Sequence, residues 1–428
     1  MMNAKMKPAK PSRVLLYAMN YKPELIGCGR YTGEIGDFIV SQGTPLTVVT
    51  TPPHYPGWAA RDGYTNRYVT ETAGDTTIIR CPLGLSKNMK GFGRIWAPLS
   101  FALSSMPVVM SRILKDRPTH VFCIEPTLIG APAALLAAKC VGARTILHVQ
   151  DLEMDAAFAV GHVKGGLVKN AAFAFEKIVL KMFDDIVTIS HKMAEKLGEK
   201  GVRKDKLHLI RNWVDSSKIF PQKGPNSFRQ ELGLSPDDFV VLYAGNIGVK
   251  QALNLVMDSA ALLVDTPIKF IIAGDGPEKA ALVARQAPNV TFLPLQPENR
   301  LNDLLNLADV HVLPQLESAA DLVLPSKLGG ILASGKALVA MADLDTELAI
   351  FLSNDAILVP PGDVTKMSEA LRALAAAHDP QNPVVRTSKA LPHLDRGRAM
   401  GLFAGLLNIG SVENAPVEAA PEIAAIRA

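Results

Sequence analysis

Two lysine-containing segments in the second half of the chain have the composition of an anion-binding site. One apolar run leads through a glycine turn into Asn246 and Lys250, and another leads into Ser326 and Lys327 just after Pro325. A proline suits the first position of a helix, and a helix N-terminus offers free amides and a favourable dipole to a phosphate. We therefore predict that these polar side chains bind a diphosphate.

A glycine-rich segment near the start of the chain could also bind an anion. Gly27, Gly29 and Gly33 follow the first apolar run, where small residues let backbone amides approach a phosphate. Their spacing differs from the G-x-G-x-x-G dinucleotide motif, and no acidic residue closes the second apolar run. We interpret Gly27 and Gly29 as an anion loop, with a plain flexible turn as the alternative.

A group of polar residues closes an apolar run in the first half. His148, Asp151 and Glu153 lie close together there. Polar side chains at the end of a buried strand are costly unless they form hydrogen bonds. We predict that Asp151 is a catalytic group and that His148 is the second, with a set of surface loop residues as the alternative.

The acidic pairs of the chain do not have the pattern of a metal site. Asp343 and Asp345 resemble a D-x-D motif, but Thr346 and Glu347 follow at once, so helix capping explains them. Asp184 and Asp185 are typical of a helix exit, and Asp275 is typical of a structural turn. Because the nine histidines are also dispersed, we predict no metal site.

Composition limits the function classes. The 428 residues suit two domains, and 48% hydrophobic with 20% charged residues indicate buried cores. A net charge of +4 gives no reason to expect nucleic acid as a partner. The four cysteines lack C-x-x-C spacing, which is typical of reduced cytosolic thiols.

One apolar stretch raises the question of a membrane. The run Ile95–Met110 contains Pro98 and Pro107, and we expect it to fall short of a membrane span. We expect Met1–Arg13 to be a short tail and not a secretion signal. The wider segment Leu85–Arg117 is basic and aromatic, which suits the surface of an anionic membrane. A core helix with a solvated basic rim is the alternative.

Short apolar runs alternate with amphipathic segments along almost the whole chain, which predicts doubly wound parallel sheets. The predicted strands are Val14–Met19, Leu46–Thr51, Thr77–Leu83, His120–Glu125, Arg144–Gln150, Asp185–Ser190, Lys206–Asn212, Phe239–Asn246, Lys269–Gly274, Val290–Leu295, Asp309–Gln315, Ala337–Ala342 and Ala356–Pro361. The predicted fold class is α/β, with two Rossmann-like domains facing across a cleft. We place the domains at 1–212 and 239–392, a linker at 213–238, and a C-terminal helix with a disordered tail at 393–428.

The segments YKPELIGCGRYTGE, TPPHYPGW, GARTILHVQDLEMDA, GNIGVKQALN and SAADLVLPSKLGGILASG make the chain similar to the GT-B glycosyltransferases of family 4. Within that family it resembles the colanic-acid-type fucosyltransferases of bacterial exopolysaccharide assembly. The resemblance implies a retaining, metal-independent transfer from a nucleotide sugar, with GDP-fucose as first choice. It implies a lipid-linked saccharide as acceptor and no cofactor beyond the nucleotide sugar itself. We expect a cytoplasmic protein that can lie on the inner membrane surface.

The resemblance also implies roles for individual residues. Gly27 and Gly29 would form the phosphate-side loop of the acceptor domain, and Asp151 would face the donor sugar. In the nucleotide-sugar domain, Asn246 stands where many relatives have arginine, and it would hold the diphosphate with Lys250. Ser326 and Lys327 would complete that pocket.

One departure from the family concerns its pair of glutamates. Many relatives carry glutamates where this chain has Leu322 and Gly330, and the nearest carboxylates here are Glu317 and Asp321. The contacts to the ribose and the sugar ring therefore stay open. Two other functions also stay open: a sugar-nucleotide epimerase of the same architecture, and a non-catalytic partner of a glycosyltransferase complex.

Overall fold

A computed structural model describes residues 12–24, 27–55, 57–85, 92–152, 166–315, 324–382 and 384–410. The chain divides into two compact units. Unit 1 comprises Met1–Ile210 with Met400–Ala428, and unit 2 comprises Arg211–Ala399. Each unit is a mostly parallel sheet with helical connections, which confirms the predicted α/β class.

The sheet of unit 1 has the order β3-β4-β2-β1-β5-β6-β7-β8. Its strands are β1 (Val14–Ala18), β2 (Leu46–Thr50), β3 (Val69–Ala73), β4 (Thr76–Arg80), β5 (His120–Ile124), β6 (Arg144–Val149), β7 (Asp185–Thr188) and β8 (Leu207–Leu209). All pairs are parallel except β3 with β4. The seven predicted strands are present, whereas β3 was missed because it is a half-exposed edge strand rich in threonine and glutamate.

The described helices of unit 1 connect these strands. They are α1 (Cys28–Ser41), α2 (Phe92–Asp116), α3 (Ala131–Val141), α4 (Gly166–Met182) and α5 (His191–Glu199). In the sheet, chain order reverses between β1 and β5. Ligands of open α/β sheets bind beyond the carboxyl ends of the strands at such a switch point.

Helix α2 continues through Pro98 and Pro107. Among the described residues, the stretch Trp96–Asp116 is long and apolar enough to cross a membrane by length and composition alone, a test that the core helix of a soluble protein also passes. One face is nevertheless packed inside unit 1, through Ala97, Phe101, Ser105, Val109 and Ile113 at four-residue spacing.

The sheet of unit 2 has the order β11-β10-β9-β12-β13-β14, and all of its pairs are parallel. Its strands are β9 (Phe239–Ala244), β10 (Ile268–Ala273), β11 (Val290–Leu293), β12 (Val310–Leu313), β13 (Ala337–Met341) and β14 (Ile357–Val359). Its helices are α6 (Ser227–Glu231), α7 (Leu253–Leu262), α8 (Lys279–Val283), α9 (Leu301–Leu307), α10 (Leu328–Ala333), α11 (Glu347–Leu352) and α12 (Val364–Ala376). Here the switch point lies between β9 and β12.

Two predicted boundaries were wrong. The segment 213–238, predicted as a linker, belongs to unit 2, where Phe228 of α6 packs with Val240 and Leu242 of β9. The C-terminal helix α13 (Arg396–Leu407) begins in unit 2, and from Met400 onward it belongs to unit 1. Both assignments depend on packing against other elements of the fold, which the composition of the segments themselves does not report. The predicted disordered tail from residue 411 onward lies outside the described residues.

The packing of α6 gives a test of the first correction. Phe228 is 2% exposed, and the guanidinium carbon of Arg300 lies 3.9 Å above the centre of its ring. We expect Phe228→Ala to lower the free energy of unfolding by about 3–5 kcal/mol, the usual cost of deleting a buried phenylalanine. Phe220→Ala is the matched control, because that ring is 47% exposed in the same segment. Equal, small losses in denaturant unfolding of both variants would show that 213–238 is a linker.

Candidate anion site at the switch point of unit 2

The Lys327 side chain reaches the end of β9 at the switch point of unit 2. Its Nζ donates to the Tyr243 hydroxyl at 2.6 Å and lies 3.9 Å from the centre of the tyrosine ring. The hydroxyl in turn donates to the backbone oxygen of Asn246 at 2.5 Å. This chain of hydrogen bonds fixes the amine beside the turn that follows β9.

Burial against Tyr243 changes the protonation of this amine. It lowers the pKa of Lys327 to about 7, because a buried ammonium loses its hydration. Among the residues that the structure describes, no carboxylate contributes to the shift. A bound anion would supply the missing opposite charge and raise the pKa again, so the site is suited to a ligand that brings negative charge.

Glycine at position 245 is what allows the amine to lie so close to the backbone. A Cβ there would stand 2.9 Å from the Lys327 Nζ, and the φ of +145° is one that other residues rarely adopt. A Cβ on Gly274 would stand only 1.9 Å from the Gly245 oxygen. The turns after β9 and β10 therefore pack backbone against backbone, and the Asp275 backbone oxygen joins them by accepting from Ile247 N at 2.8 Å. This confirms Asp275 as a structural turn residue.

The other predicted anion ligands of unit 2 surround this turn. Asn246 and Lys250 are exposed, and the Asn246 amide lies 3.4 Å from the Gln251 Oε1. Lys250 lies in a short 3₁₀ turn, Val249–Gln251, and α7 begins only at Leu253. Lys250 therefore precedes the helix by three residues.

Ser326 and Lys327 also precede their helix instead of opening it. Helix α10 begins at Leu328, whose amide donates to the Pro325 oxygen at 2.9 Å. Pro325 thus starts a turn and not the helix itself. Ser326 is exposed next to Lys327. Its contact with a phosphate stays a prediction.

The position of the missing family glutamate lies at a packing contact. A Cβ on Gly330 would stand 3.1 Å from Cδ1 of Leu305 in α9. Glycine therefore fits where α9 and α10 approach each other. Leu322, Glu317 and Asp321 lie outside the described residues.

In unit 1 a carboxylate lies beside the predicted anion loop. The buried Glu24 accepts from the amides of His54 and Tyr55 at 3.0 and 3.1 Å and from the Asn20 side chain at 2.9 Å. A Cβ on Gly29 would stand 2.6 Å from its Oε2. Gly29 thus makes room for Glu24, and a negative charge there disfavours a phosphate. The interpretation of Gly27 and Gly29 as an anion loop disagrees with this placement.

His148 is a core residue. Its ring is fully buried, stacked at 6.1 Å on Phe122 and edge-on to Phe403 of α13 at 5.5 Å. The Gln150 amide lies 3.1 Å from its Nε2, and burial lowers its pKa to about 3. The expectation that His148 points out of the strand end is therefore wrong, because α13 covers it.

Asp151 is exposed just after β6, at the carboxyl edge of the unit 1 sheet. This placement leaves its catalytic role a prediction. Glu153 lies outside the described residues.

The remaining acids form structural contacts. Thr346 caps α11 by accepting from Ala349 N, and its hydroxyl donates to the backbone oxygen of Asp343. Asp184 accepts from the Thr145 amide and hydroxyl, and Asp185 pairs with Arg144 at 2.6 Å. Across the part of the chain that the structure describes, no three His, Cys, Asp or Glu side chains form a group that could hold a metal.

The lowered pKa of Lys327 predicts a pH dependence of stability. Below pH 7 the folded state bears the full cost of a buried ammonium. The lysine of the unfolded chain has a pKa of about 10.4. Above pH 7 the unfolded chain therefore holds a proton that the folded chain lacks, so the free energy of unfolding rises with pH. Lys327→Met removes this group. We expect the free energy of unfolding of the variant, relative to the wild type, to fall by about 2 kcal/mol between pH 7 and pH 9 in denaturant unfolding. A difference that is constant with pH would contradict the assignment.

Comparison with known proteins accounts for both units. Residues 27–213 match the glycosyl transferase 4-like domain, and residues 238–377 match the glycosyl transferases group 1 domain. The chain is 39% identical over 346 residues to Escherichia coli WcaI, named for a glycosyl transferase of colanic acid biosynthesis, covering 78% of this chain and 84% of the relative. It is 25% identical to the alpha-galactosylglucosyldiacylglycerol synthase of Streptococcus pneumoniae, over 49% of this chain and 56% of the relative.

Solved structures share the fold at low identity. Sucrose-phosphate synthase from Thermosynechococcus elongatus superposes with a TM-score of 0.69 at 16% identity, covering 93% of this chain and 98% of that one. Anabaena HepE in complex with UDP-glucose superposes with a TM-score of 0.62 at 14% identity, covering 92% and 99%. With matching domains in both units and a relative at 39% identity, the chain belongs to the glycosyl transferase 4 and group 1 family and is a nucleotide-sugar glycosyltransferase with the GT-B fold.

Proposed function

We propose that this glycosyltransferase moves a sugar, with GDP-fucose as first-choice donor, to a lipid-linked saccharide in bacterial exopolysaccharide assembly. The Escherichia coli relative is named for colanic acid biosynthesis, which supports the exopolysaccharide assignment. HepE has been solved with UDP-glucose, and a nucleotide sugar is the donor type proposed for this chain. The carrying observation is the Lys327 amine beside Gly245 at the switch point of unit 2.

The donor diphosphate would bind at this switch point. A glycosyl transfer builds negative charge on the leaving diphosphate, and cations already in place stabilise that charge without reorganisation. Lys327 is held by Tyr243, and Lys250 stands exposed on the turn after β9. Binding of the diphosphate would protonate Lys327, so that the ammonium is present when the bond to the sugar breaks.

We further propose that the transfer retains the anomeric configuration. The leaving phosphate can assist the acceptor hydroxyl to attack from its own face, so this route requires no carboxylate nucleophile. Asp151, exposed at the carboxyl edge of unit 1, is the proposed group near the reacting sugar. His148 takes no part, because its imidazole is buried and neutral at physiological pH.

The surface of unit 1 supports a membrane-associated acceptor. Helix α2 packs against α3, and α3 contacts α4. These helices expose the apolar side chains Leu103, Met106, Leu114, Leu136, Ile178 and Met182. Beside them the exposed basic residues are Lys115, Arg117, Lys139, Lys177 and Lys181. Apolar side chains among cations suit an anionic bilayer surface.

We predict that removing the Lys250 cation slows turnover. Lys250→Ala should cost about 2.7–4 kcal/mol of transition-state stabilisation, or a hundredfold or more in turnover, as for other preorganised donors. Thermal stability should barely change because the side chain is exposed. Lys269→Ala is the matched control, since Lys269 stands at the opposite end of the sheet in β10. A variant with wild-type turnover, or an equal loss in the control, would place the diphosphate elsewhere.

We predict that catalysis does not depend on a divalent cation. If Lys250 and Lys327 carry the charge balance of the diphosphate, transfer should survive excess EDTA at close to its original rate. The measurement is product formation before and after chelation. Loss of activity that Mg²⁺ or Mn²⁺ restores would refute this proposal.

We predict that unit 1 binds anionic membranes through α2, α3 and α4. The protein should float with phosphatidylglycerol vesicles and stay behind with phosphatidylcholine vesicles. Leu103→Glu should reduce recovery, because that side chain is 59% exposed on α2. Leu262→Glu, at a 56% exposed leucine of unit 2, is the matched control. Equal recovery with both lipids, or an equal effect of both variants, would contradict the membrane assignment.

A further inference from the structure

Two aromatic side chains lie at the carboxyl edge of the unit 1 sheet, in the loop after β2. Tyr55 is 39% exposed and Trp58 is partly exposed. Their ring centres are 6.1 Å apart and the ring planes are almost perpendicular, at 85°. Exposed aromatic rings beside a switch point mark a place where a ligand with an apolar face can bind.

Buried contacts hold this loop in place. Glu24 accepts the amides of His54 and Tyr55, and the Thr51 hydroxyl donates to the Met19 oxygen at 2.7 Å. The loop is closed by Arg61 N, which donates to the Pro53 oxygen at 2.9 Å. A buried carboxylate that accepts two consecutive amides fixes the backbone under Tyr55, so the ring is ordered before any ligand arrives.

The neighbours of the two rings support the same reading. The His54 ring lies 5.5 Å from Trp58, behind the exposed pair. A Cβ on Gly27 would stand 3.6 Å from Cε1 of Tyr55, so the start of α1 borders the tyrosine. Trp58 itself has a φ of +50°, a left-handed conformation that a bulky residue adopts only where the surrounding loop requires it.

We propose that Tyr55 and Trp58 form a stacking platform for a pyranose ring of the acceptor saccharide. A pyranose carries C–H groups on its faces and hydroxyls around its rim. The C–H groups are attracted by the negative face of an aromatic ring while the hydroxyls stay hydrated. This inference rests on the proposed function, which supplies a saccharide acceptor, and it assigns that acceptor to a surface of unit 1.

Saturation-transfer NMR with the full chain tests the platform without a donor. The probes are the methyl glycosides of glucose, galactose and fucose. For at least one of them we expect transfer to ring C–H protons in the wild type, reduced about fivefold to tenfold in Tyr55→Ala and in Trp58→Ala, on the scale of one aromatic contact. Tyr55→Phe and Trp58→Phe should keep the signal, because the aromatic face and not the polar group binds.

The control is Tyr68→Ala, whose side chain is 56% exposed elsewhere in unit 1. Unchanged transfer in Tyr55→Ala and Trp58→Ala, an equal loss in Tyr68→Ala, or no transfer with any probe in the wild type would overturn the platform. Calorimetric binding of GDP and UDP to the same variants separates the two proposals. If the platform prediction fails while GDP or UDP still binds, the proposed function stands. If neither GDP nor UDP binds the wild type, the proposed function itself is contradicted.

Discussion

The contact between the Lys327 amine and Tyr243 is the constraint on which the site of unit 2 depends. A buried lysine amine that has no carboxylate partner among the described residues is costly in the folded protein. Tyr243 reduces the cost with one hydrogen bond and the negative face of its ring, but it cannot replace a full charge. The folded chain therefore maintains a cation whose charge an anionic ligand would balance, which is the preorganisation that the proposed diphosphate site requires.

The glycine turns make that contact possible. Gly245, Gly274 and Gly276 all have φ values that side chains rarely adopt. The Lys327 amine occupies the space that a Cβ on Gly245 would need, and backbone oxygens occupy that space at Gly274 and Gly276. The turns after β9 and β10 can thus lie against each other, with Ile247 fully buried between them. In this arrangement the exposed side chains of Asn246 and Lys250 come from a turn with a fixed backbone.

Sequence reasoning predicted the parts of this architecture that are encoded locally. Continuous apolar runs located thirteen of the fourteen strands that the structure describes, because parallel strands are covered on both faces. A glycine turn singled out Lys250 and a proline at a helix start singled out Lys327, and their binding of a diphosphate stays a prediction. Tyr243 was not predicted as a site residue because it belongs to an apolar strand. Only the folded sheet shows that the Lys327 amine reaches its hydroxyl.

The errors have the opposite cause, since each depends on side-chain contacts with residues outside the motif from which the prediction was made. His148 looked like an exposed strand end until Phe403 of α13 covered it. Gly29 had the appearance of a phosphate loop, yet the space it leaves is filled by Glu24. Phe228 lies in a segment of linker-like composition and packs against β9 all the same. No periodicity or motif within one segment reports such contacts.

The central claim is that a diphosphate completes the charge of Lys327, and proton uptake on binding tests it most directly. Calorimetric titration of GDP and UDP at pH 8, repeated in buffers of different ionisation enthalpy, counts the protons taken up. With a pKa of about 7 in the free protein, Lys327 is mostly neutral at this pH. The account predicts uptake of about one proton by the wild type and none by Lys327→Met. Binding to the wild type without proton uptake would contradict it.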